Sequence, residues 1–168
     1  LKTIVLSMPI KQKSHQYDLS IKHQEWLVNN FENVEAHTIN LDELFSTFSS
    51  SLSNFDNEHG MANSRARLRM TTLYQVAAAN KGIVVGTGNK VEDFGIGFYT
   101  KYGDGGVDIS PIADCNKTEV WELGKELGIL KEIIDAAPTD GLWDDGRTDE
   151  VQLGLQYDEL EEAMDNPN

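Results

Sequence analysis

Apolar residues recur along this chain in two rhythms, and each predicts a different element. Ile4-Val5-Leu6 is a short unbroken run halted by Pro9, which reads as a buried strand entering a loop. From Asp18 to Phe31 the spacing turns helical, with Tyr17, Ile21, Val28 and Phe31 on one face. Val34 to Ile39 predicts a second strand, and Asn40-Leu41-Asp42 opens a short helical stretch. The polar, serine-rich run Ser46 to Gly60 reads as a mobile connection. A long helix is predicted from Ala62 to Asn80, striped by Ala66, Met70, Leu73 and Ala77. Gly82-Ile83-Val84-Val85-Gly86 reads as the best strand of the chain, apolar on both faces as a parallel sheet requires. A further helix runs from Asn116 to Leu127. Asn116 and Glu119 stand at capping-box spacing, and Val120, Leu123 and Leu127 form its expected buried stripe. Strands alternating with helices predict an α/β fold: a doubly wound parallel sheet with flanking helices. No internal repeat is visible.

Composition narrows the function classes. A chain of 168 residues suits a single domain with one real core. Acids outnumber bases 28 to 14, a net charge of −14 that repels a phosphate backbone and argues against nucleic acid or an anionic membrane as partner. The stretch Lys131–Asn168 carries 12 of the acids and 2 of the bases and reads as a solvated helical surface, so the first 130 residues are closer to neutral. A single cysteine, Cys115, excludes an internal disulfide and a multi-cysteine metal cluster. No apolar run reaches the roughly 18 residues of a membrane span, and no secretion signal is visible. The expectation is a cytoplasmic protein.

Three stretches carry candidate chemistry. In Asn63-Ser64-Arg65-Ala66-Arg67-Leu68-Arg69-Met70, three arginines open a helix, where positive charge is unfavourable. Arg65 and Arg69 share a face and Arg67 points elsewhere. They either pair with the abundant acids or grip a phosphate or carboxylate. Gly86-Thr87-Gly88-Asn89-Lys90-Val91-Glu92-Asp93 follows the predicted strand directly, where open α/β sheets bind ligands. Glycines there let backbone approach a phosphate, Thr87 offers a hydroxyl, and Glu92 and Asp93 are hard oxygen ligands suited to Mg²⁺. The plainer alternative is a glycine turn with solvated acids. The stretch has neither the third glycine of a dinucleotide fingerprint nor a Walker A pattern. Thr100-Lys101-Tyr102-Gly103-Asp104-Gly105-Gly106-Val107-Asp108 is dense enough in glycine to shape a tight loop, bracketed by Lys101 and Asp108. It lacks the alternating acids of a calcium loop. His15, His23, His37 and His59 have no metal-ligand spacing, Cys115 reads as a packing residue rather than a nucleophile, and Trp26, Trp121 and Trp143 read as core or interface.

Taken in order, Asn-x-x-x-Arg-x-Arg-Met, Gly-Thr-Gly-Asn-Lys-x-Glu and Thr-Lys-Tyr-Gly-Asp-Gly-Gly-Val-Asp-Ile-x-Pro resemble the ammonia-dependent NAD synthetases of the N-type ATP pyrophosphatase superfamily. The likeness continues through Lys117-Thr118-Glu119-Val120, Ala137-Pro138-Thr139 and Asp149-Glu150-x-x-Leu-Gly-x-x-Tyr157-Asp158, and so covers Lys2 to Met164. It implies an adenine nucleotide alpha hydrolase-like fold, a homodimer, and ATP-dependent amidation of deamido-NAD by ammonia through an adenylate, yielding NAD, AMP and pyrophosphate. By that resemblance Thr87, Lys117 and Thr139 contact ATP, Lys117 on its phosphates. Glu92 binds Mg²⁺, and Arg67, Lys101 and Asp108 hold deamido-NAD. Glu92, Lys117 and Asp108 are the implied catalytic set, and Ser7-Met8-Pro9 falls where the family receives adenine.

The family's Ser-Gly-Gly-x-Asp-Ser pyrophosphate loop is nowhere in these 168 residues, nor is its C-terminal His-Lys segment. The resemblance places the loop, and the strand before it, upstream of Leu1, so Leu1 is not expected to be the natural start. That strand would sit between those at Ile4 and Ile83. Two other readings compete: a shortened, non-catalytic paralogue that binds dinucleotide or a partner chain, and another adenylating ligase or thiolation enzyme of the superfamily. Lys-Tyr-Gly-Asp-Gly-Gly argues against the last, and the low basic content argues against tRNA as its substrate.

Overall fold

A computed structural model describes residues 1–139 and 146–166. Trp143 lies outside the described residues. In chain order the elements are β1 (Thr3–Ser7), α1 (Ser14–Asn30), β2 (Val34–Thr38), α2 (Asp42–Ser51), α3 (Glu58–Ala79), a π-helical turn (Val91–Ile96), α4 (Lys117–Glu126), α5 (Lys131–Ile134), α6 (Asp149–Leu153) and α7 (Tyr157–Asp165). The fold is α/β, with a parallel sheet and flanking helices. The chain divides into two compact units. One holds Leu1–Met61 with Leu130–Ala136; the other holds Ala62–Ile129 and the described residues from Ala137 onward. No helix among the described residues is long and apolar enough to cross a membrane.

The first unit is a β-α-β crossover. β1 and β2 pair in parallel from Thr3 opposite Val34 to Ser7 opposite Thr38, and α1 supplies the return path that parallel strands need. The face expected from apolar spacing on α1 is only partly the buried one, since Val28 and Phe31 are exposed. The buried residue is polar: the amide of Gln24 donates to the carbonyls of Val5 (3.2 Å) and His37 (3.0 Å), joining the helix to both strands. Apolar periodicity could not find it.

Ser46 to Gly60 is not a mobile connection. Most of it is helical, in α2, a short 3-10 turn at Ser53–Phe55, and the start of α3. Leu41 and Phe45, four apart, are both buried, and the hydroxyls of Ser50 and Ser51 donate back to the carbonyls of Ser46 and Thr47. Serine in this setting is absorbed by local back-bonding and does not break the helix.

In the second unit α3 buries Met70, with Ala66, Leu73 and Ala77 half-buried beside it, as its stripe predicts. Gly82–Gly86 does not form a full strand. Val84 is buried, but Ile83 and Val85 are exposed, and Val85 makes a single parallel bridge to Ile109. A strand needs a ladder on at least one side. Here the described contacts stop at Asp108 and Ile109, whose N–H groups share the Val84 carbonyl. The expected stripe of α4 is also rotated, since Leu123 and Leu127 are exposed. The inner positions are Trp121 and Gly124, because Trp121 packs edge-on against Tyr157 and the core of Val91, Tyr157 and Leu160. Glu119 closes the start of α4 as its spacing predicts, accepting the Asn116 N–H at 2.7 Å.

Candidate functional site

The loop following Val84 is shaped by close approach. The Gly86 N–H donates to the Ile109 carbonyl at 2.7 Å, and a Cβ on Gly86 would sit 2.6 Å from Val107 Cγ2. A Cβ on Gly88 would collide with the Asp93 carboxylate. Asn89, 2% exposed, then starts the π-helical turn by accepting the Glu92 N–H at 3.1 Å, and Lys90 N–H donates to the Cys115 carbonyl. Val91 is fully buried, so its neighbour Glu92 is carried on a fixed anchor. Such turns recur at functional sites. Thr87 is exposed on the same loop.

Glu92 and Lys117, 25 residues apart, are brought together. Lys117 Nζ donates to Glu92 Oε1 at 2.8 Å, with each side chain less than a fifth exposed. Tyr157 completes the group. Its single hydroxyl proton is shared between Glu92 Oε1 (3.0 Å) and Asp149 Oδ2 (3.2 Å), and Lys117 Nζ stands 5.1 Å from its ring centroid. Burial, and then the two carboxylates, push the Tyr157 hydroxyl far above the usual phenol range, so it remains a neutral donor. Burial first, then Glu92, raises the Asp93 carboxyl. Glu161 on α7 fastens α4 by accepting from the Thr118 N–H (3.0 Å) and hydroxyl (2.6 Å).

A second cluster forms where α3 meets the glycine-rich loop. Arg67 Nε donates to the Lys101 carbonyl at 3.0 Å, leaving the guanidinium exposed, whereas Arg65 and Arg69 are half-buried on the other face. Burial, and then Arg65, lower the Arg69 guanidinium from its ordinary value. Lys101 Nζ lies 5.1 Å from the Tyr102 ring centroid. The loop is pinned by Thr100, whose hydroxyl is 2.7 Å from Asn63 Oδ1 and whose N–H donates to Asp104. Asp108 is structurally engaged: Oδ2 accepts the Val84 N–H at 2.8 Å and Oδ1 accepts the Tyr74 hydroxyl at 3.1 Å.

Thr139 is half-buried and its hydroxyl donates to the Arg147 carbonyl. It reaches the Glu92 group indirectly, since its neighbour Pro138 accepts the Asp149 N–H at 3.0 Å. Ser7 belongs to the other unit. There its hydroxyl lies 2.9 Å from that of Ser20, while the Ser7 and Pro9 carbonyls hold Ile39 and Leu41. Sequence reading gave no role to Tyr74, Asp149 or Tyr157. The last two lie in a stretch that carries the family resemblance, which was the available signal. Nothing in the sequence marks Tyr74.

The donor set can be tested against a divalent cation. No group of three or more His, Cys, Asp or Glu side chains converges among the described residues. That rules against a cage of the zinc or calcium kind there. It fits Mg²⁺, which keeps most of its water and takes one or two carboxylates plus substrate phosphates. Glu92 offers such a carboxylate: Oε1 is held by Lys117 and Tyr157, and Oε2 has no hydrogen-bond partner among the described residues.

Comparison with known proteins identifies the relatives of this chain. Residues 1–166 match the family model described as NAD synthase. The chain is 44% identical over 142 residues to the NH(3)-dependent NAD(+) synthetase of Carboxydothermus hydrogenoformans, covering 82% of this chain and 58% of that protein. It is 40% identical over 157 residues to the enzyme of the same name from Mesoplasma florum, covering 92% and 62%. It therefore spans roughly three-fifths of these relatives' length. Among solved structures, the NMN synthetase from Francisella tularensis superposes with a TM-score of 0.90 at 37% identity, covering all of this chain and 68% of that one. The NH3-dependent NAD synthetase from Campylobacter jejuni superposes with a TM-score of 0.66 at 27% identity, covering 78% and 54%.

Proposed function

The chain belongs to the NAD synthase family, and from that premise we propose that the full-length protein is an ammonia-dependent ligase that amidates the nicotinate carboxylate of deamido-NAD. The carboxylate is inert to ammonia because oxide is a hopeless leaving group. Its oxygen attacks the α-phosphorus of ATP, pyrophosphate departs, and ammonia then displaces AMP from the acyl adenylate. No protein nucleophile is needed, and the residues supply position and charge. That agrees with a site built from Arg, Lys, Thr and a carboxylate.

The observation that carries the reading is the enclosed pair of Lys117 and Glu92 at 2.8 Å. In this scheme Lys117 exchanges Glu92 for a phosphate of ATP, while Thr87 and Thr139 bind the nucleotide. Glu92 holds Mg²⁺, which when bound neutralises charge on the departing pyrophosphate. The exposed guanidinium of Arg67 and the ammonium of Lys101 bind the dinucleotide. Asp108, already engaged by Val84 and Tyr74, shapes the end of that site and meets substrate with its remaining lone pairs. The protein acts in the cytoplasm as a homodimer.

Incubating the full-length protein with ATP, Mg²⁺, ammonium and deamido-NAD should yield NAD, AMP and pyrophosphate; no NAD rejects the assignment. A second reading is favoured by the superposition on an NMN synthetase, which takes in all of this chain and 68% of that one. On that reading the acid amidated by this protein is a nicotinate mononucleotide instead of the dinucleotide. Comparing kcat/KM for the two acids decides, and a preference for the mononucleotide replaces deamido-NAD as substrate.

A further inference from the structure

Tyr157 has no part in the scheme above, yet it is only 1% exposed and stands against Glu92, Asp149 and Lys117. Its ring packs edge-on against Trp121, with centroids 6.0 Å apart, and lies beneath Lys117. Its hydroxyl lies within hydrogen-bond distance of Glu92 and Asp149. The Asp149 N–H in turn holds the carbonyl of Pro138, next to Thr139. One phenol therefore connects the turn that carries Glu92, the first residue of α4, and the segment that carries Thr139.

We propose that Tyr157 is the positioning residue that keeps Glu92 in its cation-binding pose once Lys117 has left it for phosphate. The proposal rests on the reading of Glu92 as a cation ligand. Glu92 Oε1 has two donors, the Lys117 ammonium and the Tyr157 hydroxyl. Lys117 sits on a long flexible stem and has a competing anion as soon as ATP binds. Tyr157 has neither freedom: its ring is wedged in the core of Val91 and Leu160. With nucleotide bound, the phenol is the donor that still restrains the carboxylate and leaves Oε2 to the cation. A ligating carboxylate held by an outer hydrogen bond loses affinity when that bond is removed, typically by about 10–100-fold.

The test uses full-length protein and Mn²⁺ as the probe, with binding followed by electron paramagnetic resonance in the presence and absence of α,β-methylene ATP. Tyr157→Phe keeps the ring and removes the hydroxyl. It should weaken Mn²⁺ about tenfold in the nucleotide complex, and much less without nucleotide, with deamido-NAD affinity little changed and the thermal midpoint lowered, because two enclosed carboxylates lose a donor. Wild-type Mn²⁺ affinity in the nucleotide complex of this variant overturns the proposal. Glu92→Gln separates the two claims. If it leaves Mn²⁺ binding intact, the reading of Glu92 itself fails; if it abolishes binding while Tyr157→Phe does not, only the positioning role fails. Should Tyr157→Phe not fold, Tyr157→Phe/Asp149→Asn removes the hydroxyl while replacing the neighbouring buried carboxylate by a neutral amide of the same shape, which avoids leaving a buried charge short of a donor. The same loss of Mn²⁺ is then expected, and its absence overturns the proposal.

Discussion

In the unit built on β1 and β2, a buried polar side chain, Gln24, gives its amide to two backbone carbonyls and so serves the sheet. In the unit that carries Glu92, the enclosed polar side chains bond to one another: Lys117 to Glu92, and Tyr157 to Glu92 and Asp149. The first arrangement satisfies backbone groups and needs no ligand. The second gathers ionisable groups from four elements at the carboxyl end of an extended segment, and in it Glu92 Oε2 has no hydrogen-bond partner among the described residues. Buried polar networks of this kind are costly unless complete, which is why a polar group that is enclosed but incompletely bonded points to chemistry.

Substitutions in each unit should therefore separate activity from stability. The largest effect is expected for Glu92→Gln in the full-length protein. Turnover should fall by about 100-fold or more while deamido-NAD affinity and the unfolding midpoint hold, as read by steady-state kinetics and calorimetry. Loss of folding would move Glu92 to the structural side. Gln24→Leu should do the reverse, costing about 1–3 kcal/mol in urea denaturation by depriving the Val5 and His37 carbonyls of a donor, with KM and kcat of the folded fraction unchanged. Arg67→Ala should raise the deamido-NAD dissociation constant about tenfold, or about 1.4 kcal/mol, without altering stability, because the side chain is exposed. An unaltered constant would remove Arg67 from the site.

The smallest effect belongs to His23. It stacks on Trp26 with ring centroids 5.9 Å apart, and burial lowers its pKa from the ordinary value. Its neutral form is favoured in the fold, so its contribution is intact above the unfolded value near 6.5 and is lost as pH falls through the lower folded value. His23→Phe should therefore flatten the acid side of the stability profile by about 1–2 °C in midpoint, a small shift because the ring is partly solvated. An unchanged profile would show that His23 titrates as in the unfolded chain.

Short motifs were legible where local chemistry sufficed. The capping pair at Asn116 and Glu119 and the exposed placement of Arg67 between Arg65 and Arg69 follow from helix spacing alone. The stripe of α3 follows for the same reason. Serine content misled at Ser46 to Gly60, because hydroxyls that bond back to the previous turn are compatible with a helix. The stripe of α4 held at Val120, which is half-buried, and misled at Leu123 and Leu127, which offer more apolar area than Lys117 and Gly124. The facing surface of α7, with Tyr157 and Glu161, chose the second set.

The sequence alone determined the α/β class, the family, and which side chains are chemically able to bind anions or a hard cation, since those are properties of residue type, order and short spacing. Only tertiary structure decided that Lys117 meets Glu92, that Tyr157 and Asp149 stand behind them, and that Asp108 is already bonded to Val84 and Tyr74. Those pairings join residues tens of positions apart. Their distances are set by how helices and loops pack, a quantity that no local pattern encodes.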